Sequence, residues 1–430
     1  MIRHLPNLLQ RSLRSPLRAS LQPMTTTVSL ADIRRAREEL QGTSIYTPME
    51  GARWLSDQCG GPVWLKAENL QRTGSFKIRG AYVRIKNLTD EEKARGVVAA
   101  SAGNHAQGVA LAAQMLGIKA TVYMPDGAPI PKLNATRGYG AEVRFHGAFL
   151  DESLVAARQF ADETGAVLIH PFDHVDIVRG QGTCGLEIAE QAPQAETILV
   201  PLGGGGFLAG IAIAVKETCR EAGRPEPRII GVQAKGAAAY PASLAQGRPV
   251  AAQNMLTMAD GIAVGLPGMV PFQAIQDYVD DVITVSERAM SQAMVMLLER
   301  AKLVAESAGA AAVAAISENP SAFTTPTVAV LSGGNVDPLL MGKLIRVGMA
   351  EAGRYLQATV HIPDVPGGLA TLVTELAGLR ANVIEVAHER ISTDLSHDEV
   401  AVRLQLETRG RDHAEAVVAR LRDLGYTVIA

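Results

Sequence analysis

Four short segments carry residue types that could bind an anion and activate an amine. Ser75-Phe-Lys-Ile-Arg-Gly80 sets Lys77 beside an aromatic ring and just inside an apolar helical pattern of Phe76, Ala81 and Ile85. Gly203, Gly204, Gly205 and Gly206 stand between a predicted strand and a predicted helix from Phe207. Without side chains their backbone N–H groups can approach an anion, and the helix N-terminus adds positive potential. The same glycines would serve equally as a flexible strand-to-helix turn. Ser101–Gly108 (SAGNHAQG) and Ser332–Asn335 (SGGN) combine glycine with hydrogen-bonding side chains. A lone lysine is ordinarily a solvated surface charge. Beside a phosphate site and partly desolvated, its amine can instead condense with an aldehyde. Phosphate, aldehyde and lysine together point to pyridoxal 5′-phosphate. No Lys-Ser/Thr pair follows the four glycines, and no GxGxxG follows the first strand, so a nucleotide P-loop or dinucleotide site is poorly supported.

These loops need a scaffold, and the chain supplies one in alternation. Short β-branched runs are predicted as strands at Val63–Lys66, Val97–Ala100, Thr121–Met124, Glu142–Phe145, Val167–His170, Thr197–Val200, Arg228–Gln233 and Thr327–Leu331. Most are followed by Gly or Pro and then a helical stretch, which is the grammar of a parallel α/β sheet covered on both faces. Ligands of such sheets bind beyond the carboxyl ends of the strands, so loops near 100, 202 and 331 should converge on one cleft. Ser29–Asp32 is a capping pattern that opens the folded sequence, with Ile33, Ala36 and Leu40 at helical spacing behind it. After about residue 350 the rhythm changes. Tyr355–Ile362, a helix from about Leu369 to Leu379, Asn382–Ile391, Glu399–Leu406, a helix at Asp412–Leu424 and Tyr426–Ile429 read as a ferredoxin-like βαββαβ unit.

The 430 residues are 47% hydrophobic with 41 Gly and only 4% aromatic, which suits layered α/β folding and excludes a chain disordered throughout. A net charge of −3 offers no basic field for a phosphate backbone, so nucleic-acid binding is not expected. No run of about 18 apolar residues is present to span a membrane. Cys59, Cys184 and Cys219 lie far apart and form no zinc-ligand spacing, which fits a reducing, cytoplasmic setting. The first 31 residues hold four Arg and no Asp or Glu. They read either as an organelle transit peptide or as sequence upstream of a true start at Met24.

With these motifs in place, the sequence resembles the threonine/serine dehydratase branch of the fold type II (tryptophan-synthase-β-like) pyridoxal phosphate enzymes, and among them the threonine ammonia-lyases that carry a C-terminal ACT domain. The motifs stand in family order: SFKIRG at 75–80, SAGNHAQG at 101–108, GGGG at 203–206, AESAGA at 305–310 and SGGN at 332–335. The resemblance implies a leader over 1–28, a two-subdomain parallel-sheet catalytic domain over 29–350 and an ACT regulatory domain over 354–430. It implies that Lys77 holds the cofactor aldehyde and moves the α-proton of the substrate. Phe76 would pack on the cofactor ring, Asn104 would bond the 3′-oxygen, Gly203–Gly206 would bind the phosphate and Ser332 would face the pyridine nitrogen. Gly261 and Glu306 match positions near the ring. Ser101, Asn104 and His105 would line the pocket for the substrate carboxylate. A hydroxyl such as that of Ser332 cannot keep a proton on the ring nitrogen as a carboxylate would, which favours β-elimination.

Two departures sort the relatives. Serine racemases of this family carry a serine where this chain has Ala102, which has no proton to give the opposite face of Cα. The family's divalent-cation site begins with a glutamate where this chain has Gln233, followed by Ala234 and Lys235, so no metal is expected. The expected reaction is the dehydration and deamination of L-threonine to 2-oxobutyrate and ammonia, with L-serine as a secondary substrate. Alternatives are a 3-hydroxyaspartate dehydratase, a serine racemase or a non-catalytic amino-acid sensor; a cysteine-synthase-like replacement enzyme fits less well because Ile-Arg-Gly follows Lys77. The Asp364-Val-Pro-Gly-Gly-Leu369 turn resembles that of ACT domains and implies a branched-chain amino-acid effector, or else a purely structural dimerisation module. A homo-oligomer, dimer or tetramer, is expected. His170 and His174, separated by Pro171, read as strand-end and loop residues. Met294, Met296 and Leu297 read as helix packing, and Asp280-Asp281 as a solvated turn before a strand Val282–Val285.

Overall fold

The computed structural model describes residues 28–351, 353–390 and 398–430. The leader to residue 27, Met24 included, and the Ile391 end of one expected strand lie outside them. Val28, grouped above with the leader, is buried against the core beside Leu30 and Ile33. Ser29 caps the first helix, Leu30–Glu39, in a reciprocal box with Asp32.

The strands in chain order are β1 (Met49–Gly51), β2 (Val63–Ala67), β3 (Val97–Ala100), β4 (Ala120–Met124), β5 (Glu142–Phe145), β6 (Val167–Leu168), β7 (Thr197–Pro201), β8 (Arg228–Ala234), β9 (Asp281–Val285), β10 (Thr327–Leu331), β11 (Tyr355–Pro363), β12 (Asn382–Glu389), β13 (Glu399–Glu407) and β14 (Thr427–Ile429). The larger sheet has the order β1-β2-β10-β7-β8-β9, parallel throughout except for β1. The smaller sheet, β5-β4-β3-β6, is wholly parallel. The fold is therefore α/β with two parallel-sheet halves. In the larger sheet Val63, Leu65, Ala329 and Leu331 face one apolar cluster, while Ile198, Val200, Val328 and Val330 face another. Alternate side chains of each strand are thus buried on both faces, which is why these strands read as unbroken apolar runs.

Two strands depart from the sequence reading. β6 ends at Leu168 rather than His170, because Pro171 has no N–H for the ladder and the His170 ring accepts from the Phe172 and Asp173 N–H groups instead. The short antiparallel β1 carries no apolar pattern of its own and was missed.

The smaller sheet falls in sequence between β2 and β7, so the chain leaves the larger sheet and returns to it through the helix Val175–Gln191. Helix Lys77–Lys86 opens that excursion and packs on Asn104–Leu116 and on Val175–Gln191. The latter crosses helix Gly206–Glu221 at close range: a Cβ on Gly210 would lie 2.6 Å from the Gly182 nitrogen. Behind Lys77 sits a buried polar network. Arg79 donates to both Glu68 oxygens at 2.8 Å and lies 2.7 Å from Glu187, which also meets Lys66 at 2.6 Å.

β11 to β14 form an antiparallel sheet of order β12-β13-β11-β14, with helices Gly368–Gly378 and Arg411–Asp423 on one face. This is the ferredoxin-like order, closed over its own core of Val360, Ile362, Leu372, Leu376, Val402, Leu404, Val417 and Leu421. Among the described residues no helix is long and apolar enough to cross a membrane.

Candidate active site

Lys77 is the first residue of its helix and follows a bent, hydrogen-bonded approach. Thr73 holds φ +62°, a left-handed conformation that is costly for a β-branched residue. Its carbonyl accepts from Asn335 Nδ2 at 2.6 Å, and Gly334 N donates to the Gly74 carbonyl at 2.8 Å. The loop before Lys77 is thereby tied to the loop after β10. The Lys77 side chain is half-buried, and its desolvated amine donates to the Pro171 carbonyl at 3.1 Å. Burial pushes its pKa down to about 8, against the opposing pull of the Glu306 carboxylate. Phe76 stacks face to face on Phe207, with ring centroids 3.8 Å apart.

The glycine loop connects β7 to helix Gly206–Glu221. Gly205 has φ +102°, and a Cβ there would lie 2.0 Å from the Tyr240 hydroxyl, which donates to the Gly204 carbonyl. Only glycine satisfies both the backbone and the space. At Gly204 a Cβ would fall 2.2 Å from the Phe172 ring. None of the backbone N–H groups of Gly203–Gly206 donates to a carbonyl among the described residues. Four donors at a helix N-terminus are thus left for an anion. The segment His170–Asp173 straps this loop to Lys77, one residue offering its carbonyl to the amine and the next its ring to Gly204.

Asn104 opens helix Asn104–Leu116. Its amide donates to Glu306 Oε1 and accepts from Asn335 Nδ2 at 2.7 Å. Glu306 is buried, and burial together with the Asp260 charge raises its pKa to about 7 despite Lys132, Asn104 and Lys77. A Cβ on Gly333 would lie 2.5 Å from Glu306 Oε1 and 3.1 Å from Asn104 Nδ2; one on Gly261 would lie 3.6 Å from the same carboxylate oxygen. Ser332 is buried, and its carbonyl accepts from Phe76 N. The Ser101 hydroxyl accepts from Gly103 N at 3.1 Å. His105 is buried, with Nε2 donating to the Ile169 carbonyl at 2.8 Å. Burial, with the nearby Lys77 charge, lowers its pKa to about 3, so the ring is neutral.

The structure therefore brings Lys77, Asn104, Glu306, Ser332, Gly203–Gly206 and Gly261 around one cleft, with Ser101 at its edge. His105 is spent on Ile169, behind the strap. Sequence reading gave no site role to Pro171, Phe172, Asp260 or Lys132, and named Asn335 only as the end of the SGGN motif. Lys132 Nζ reaches Asp260 Oδ2 at 2.8 Å. Its one sequence signal was a lysine in the first turn of a helix, Ile130–Gly138, where the dipole disfavours a cation. Gln233 is buried and its Oε1 accepts from Tyr240 N at 3.0 Å.

These residues fit pyridoxal phosphate. A buried amine of lowered pKa suits condensation with an aldehyde, and four unengaged N–H groups suit a phosphate. Gly261 and Gly333 leave free the space a ring beside Glu306 would need. Ser75 Oγ, adjoining Gly333, is buried without a partner among the described residues.

Comparison with known proteins agrees with this geometry. Over residues 40–333 the chain matches the pyridoxal-phosphate dependent enzyme family. It is 42% identical to an L-threonine ammonia-lyase of Thermotoga maritima over 401 residues, 93% of this chain and 99% of the relative. The processed form of threonine deaminase isoform 2 from Solanum lycopersicum superposes with TM-score 0.70 at 36% identity, over 75% of this chain and 87% of that one. A serine racemase from Dictyostelium discoideum does so with TM-score 0.65 at 35% identity, over 72% and 99%. Motif order, sheet topology, a desolvated lysine and a glycine cradle agree with the match, and the chain belongs to the pyridoxal-phosphate dependent enzymes.

Proposed function

We propose that this chain is an L-threonine ammonia-lyase, releasing 2-oxobutyrate and ammonia from L-threonine and, more slowly, pyruvate from L-serine. The observation that carries the proposal is the Lys77 amine, held on the Pro171 carbonyl and desolvated to a pKa of about 8 within the field of Glu306. The Pro171-Phe172 strap ties it to the four N–H groups of the glycine loop that no carbonyl among the described residues accepts. The cofactor, when bound, supplies an aldehyde for the substrate amine and a conjugated ring that accepts the electrons of the broken Cα–H bond.

The chain's own residues do the rest. With the cofactor bound, Gly203–Gly206 would hold its phosphate through their N–H groups, and Phe76, stacked on Phe207, would pack on the ring. Asn104, fixed from both sides by Glu306 and Asn335, would offer its amide to the ring's 3′-oxygen. Ser101 and the first turn of helix Asn104–Leu116 receive the substrate carboxylate. Lys77, whose lowered pKa of about 8 makes its neutral amine more accessible than that of an ordinary lysine, takes the α-proton onto Nζ. The β C–O bond then breaks, the departing hydroxyl takes up one proton in place of the one lifted from Cα, and water leaves. The freed enamine tautomerises to the imine and takes up water, giving the 2-oxo acid and ammonia. Ser332 cannot keep the ring nitrogen protonated, which favours this elimination. Ala102 offers no proton to the second face of Cα, which argues against racemisation as the main activity.

Three further readings belong to the proposal. Residues 29–350 form the catalytic domain, and 354–430 form an ACT domain. A cavity of about 520 Å³ beside Asp364, Gly367, His388 and Arg390 would take a branched-chain amino acid as effector. The protein works as a cytoplasmic homo-oligomer, consistent with its cysteine usage.

The test supplies L-threonine to the cofactor-loaded protein and follows 2-oxobutyrate through coupled NADH oxidation, with L-serine and L-threo-3-hydroxyaspartate in parallel. Formation from threonine, abolished in Lys77→Ala, is expected. Consumption of another hydroxy amino acid with threonine untouched would move the substrate assignment.

A further inference from the structure

Lys132 and Asp260 form an ion pair at this site that the proposed reaction does not use. Lys132 comes from a helix of the smaller sheet's half, and Asp260 from the turn Asp260–Ile262 beside the larger sheet, so the pair spans the two halves. The lysine is buried; the Asp260 side chain is 65% exposed. The Lys132 amine lies 3.8 Å from where a Cβ on Gly103 would stand, in the middle of the loop that receives the substrate carboxylate. The acids facing it are Asp260, Glu306 and Asp337. Gly261, next to Asp260, borders Glu306.

We infer that the Lys132–Asp260 pair is a charge filter that restricts the site to amino acids with an uncharged β-substituent. The inference rests on the proposed 3-hydroxy amino acid substrate. A substrate docked by its α-carboxylate near Gly103 places its remaining substituents within reach of the pair. With Asp260 in place, Lys132 is already neutralised at 2.8 Å, and a second substrate carboxylate would meet the Asp260 charge. Like charges across a binding site select against the wrong partner by repulsion, not by weaker attraction. Without the Asp260 charge, Lys132 would lose its hydrogen-bonded carboxylate and be a buried cation facing only Glu306 and Asp337 among the acids named, one loop away from the substrate and suited to a dicarboxylic amino acid.

The experiment compares cofactor-loaded wild type, Asp260→Asn and the double variant Asp260→Asn/Lys132→Met. It measures kcat/KM for L-threonine and for L-threo-3-hydroxyaspartate. The wild type should favour threonine. In Asp260→Asn the ratio of hydroxyaspartate to threonine should rise by at least about tenfold, a modest share of what an unscreened charge pair could supply. The double variant should lose the gain. Calorimetric titration with malonate before cofactor loading gives a second reading: tighter binding to Asp260→Asn than to wild type, lost in the double variant. A ratio within about twofold of wild type would overturn the filter. A parallel rise for both substrates would overturn it too, since Lys132 would then be serving the α-carboxylate. A wild type that turns over hydroxyaspartate as readily as threonine would do the same. If the wild type ignores threonine altogether, the substrate proposal fails on its own, and the malonate titration still decides the filter.

Discussion

At the scale of single residues, burial sets the reactivity of the site. Lys77 is pushed from 10.5 to about 8 because desolvation of the ammonium outweighs the attraction of Glu306. Its neutral form therefore dominates above about pH 8 and its ammonium below. In cofactor-free protein, acetylation of Lys77 by acetic anhydride should rise with a midpoint near that value, measured by peptide mass spectrometry. A midpoint at the ordinary lysine value would contradict the desolvation argument. Gly204 makes a steric prediction. A methyl there would stand 2.2 Å from the Phe172 ring, so Gly204→Ala must move the strap off the glycine loop. Cofactor affinity should fall by about tenfold or more, as absorbance titration would show, with about 1–3 kcal/mol of overpacking strain in the melting curve.

At the scale of elements, Lys77 is held by what lies behind it. Arg79, two residues on in the same helix, binds Glu68 from the end of β2 and Glu187 from helix Val175–Gln191. Arg79→Met would leave two buried carboxylates with Lys66 as the one cation paired with them among the described residues, beside their hydrogen bonds from Thr47, and breaking such a network costs about 3–5 kcal/mol. Arg79→Lys should not restore it, because one ammonium cannot reproduce the forked contacts. Thermal denaturation tests both, and equal melting temperatures for wild type and Arg79→Met would refute the argument. The network also fixes the sign of a pH dependence. Burial pushes the Glu68 pKa up, but Arg79, Lys66 and Thr47 outweigh it and hold the carboxyl below its usual value. Its contribution is complete above the ordinary carboxylate pKa of about 4.3 and is lost as pH falls through the lower folded value. Acid melting curves of Arg79→Met should lose part of that slope.

At the scale of the whole molecule, the ferredoxin-like unit closes its own core, separate from the two clusters that flank the larger sheet. Its proposed role is regulatory. L-Isoleucine or L-valine should change threonine turnover in the full chain, and Arg390→Ala, which removes a cationic wall of the Asp364 cavity, should weaken that response at least several-fold, as expected for loss of a charge-assisted contact. Turnover without effector should stay near wild type. Indifference of the full chain to every branched-chain amino acid would leave the unit a structural module. The same scale holds the Lys132–Asp260 pair, because its partners come from opposite halves of the catalytic fold.

Much of this was legible in the linear sequence. Alternating β-branched runs and glycine-ended loops determine a parallel sheet, because a strand buried on both faces must be apolar throughout. The loops of Lys77, Asn104, the four glycines and Ser332 had to meet, since each leaves or follows the carboxyl end of a strand in such a sheet. Local signals also placed the Ser29 cap and the change of rhythm near residue 350. Other features depended on which residues folding brings together, often from more than a hundred positions apart. That His105 turns to the Ile169 carbonyl, that Phe172 lies on Gly204 and that Asn335 locks Asn104 are all consequences of packing between separate elements. Lys132 and Asp260 are polar residues of ordinary appearance, and only tertiary structure buried the lysine and brought the aspartate to it. Sequence determines which groups are available and how each segment folds; the desolvation and distance that set their pKa and partners exist only once the two sheets have closed around them.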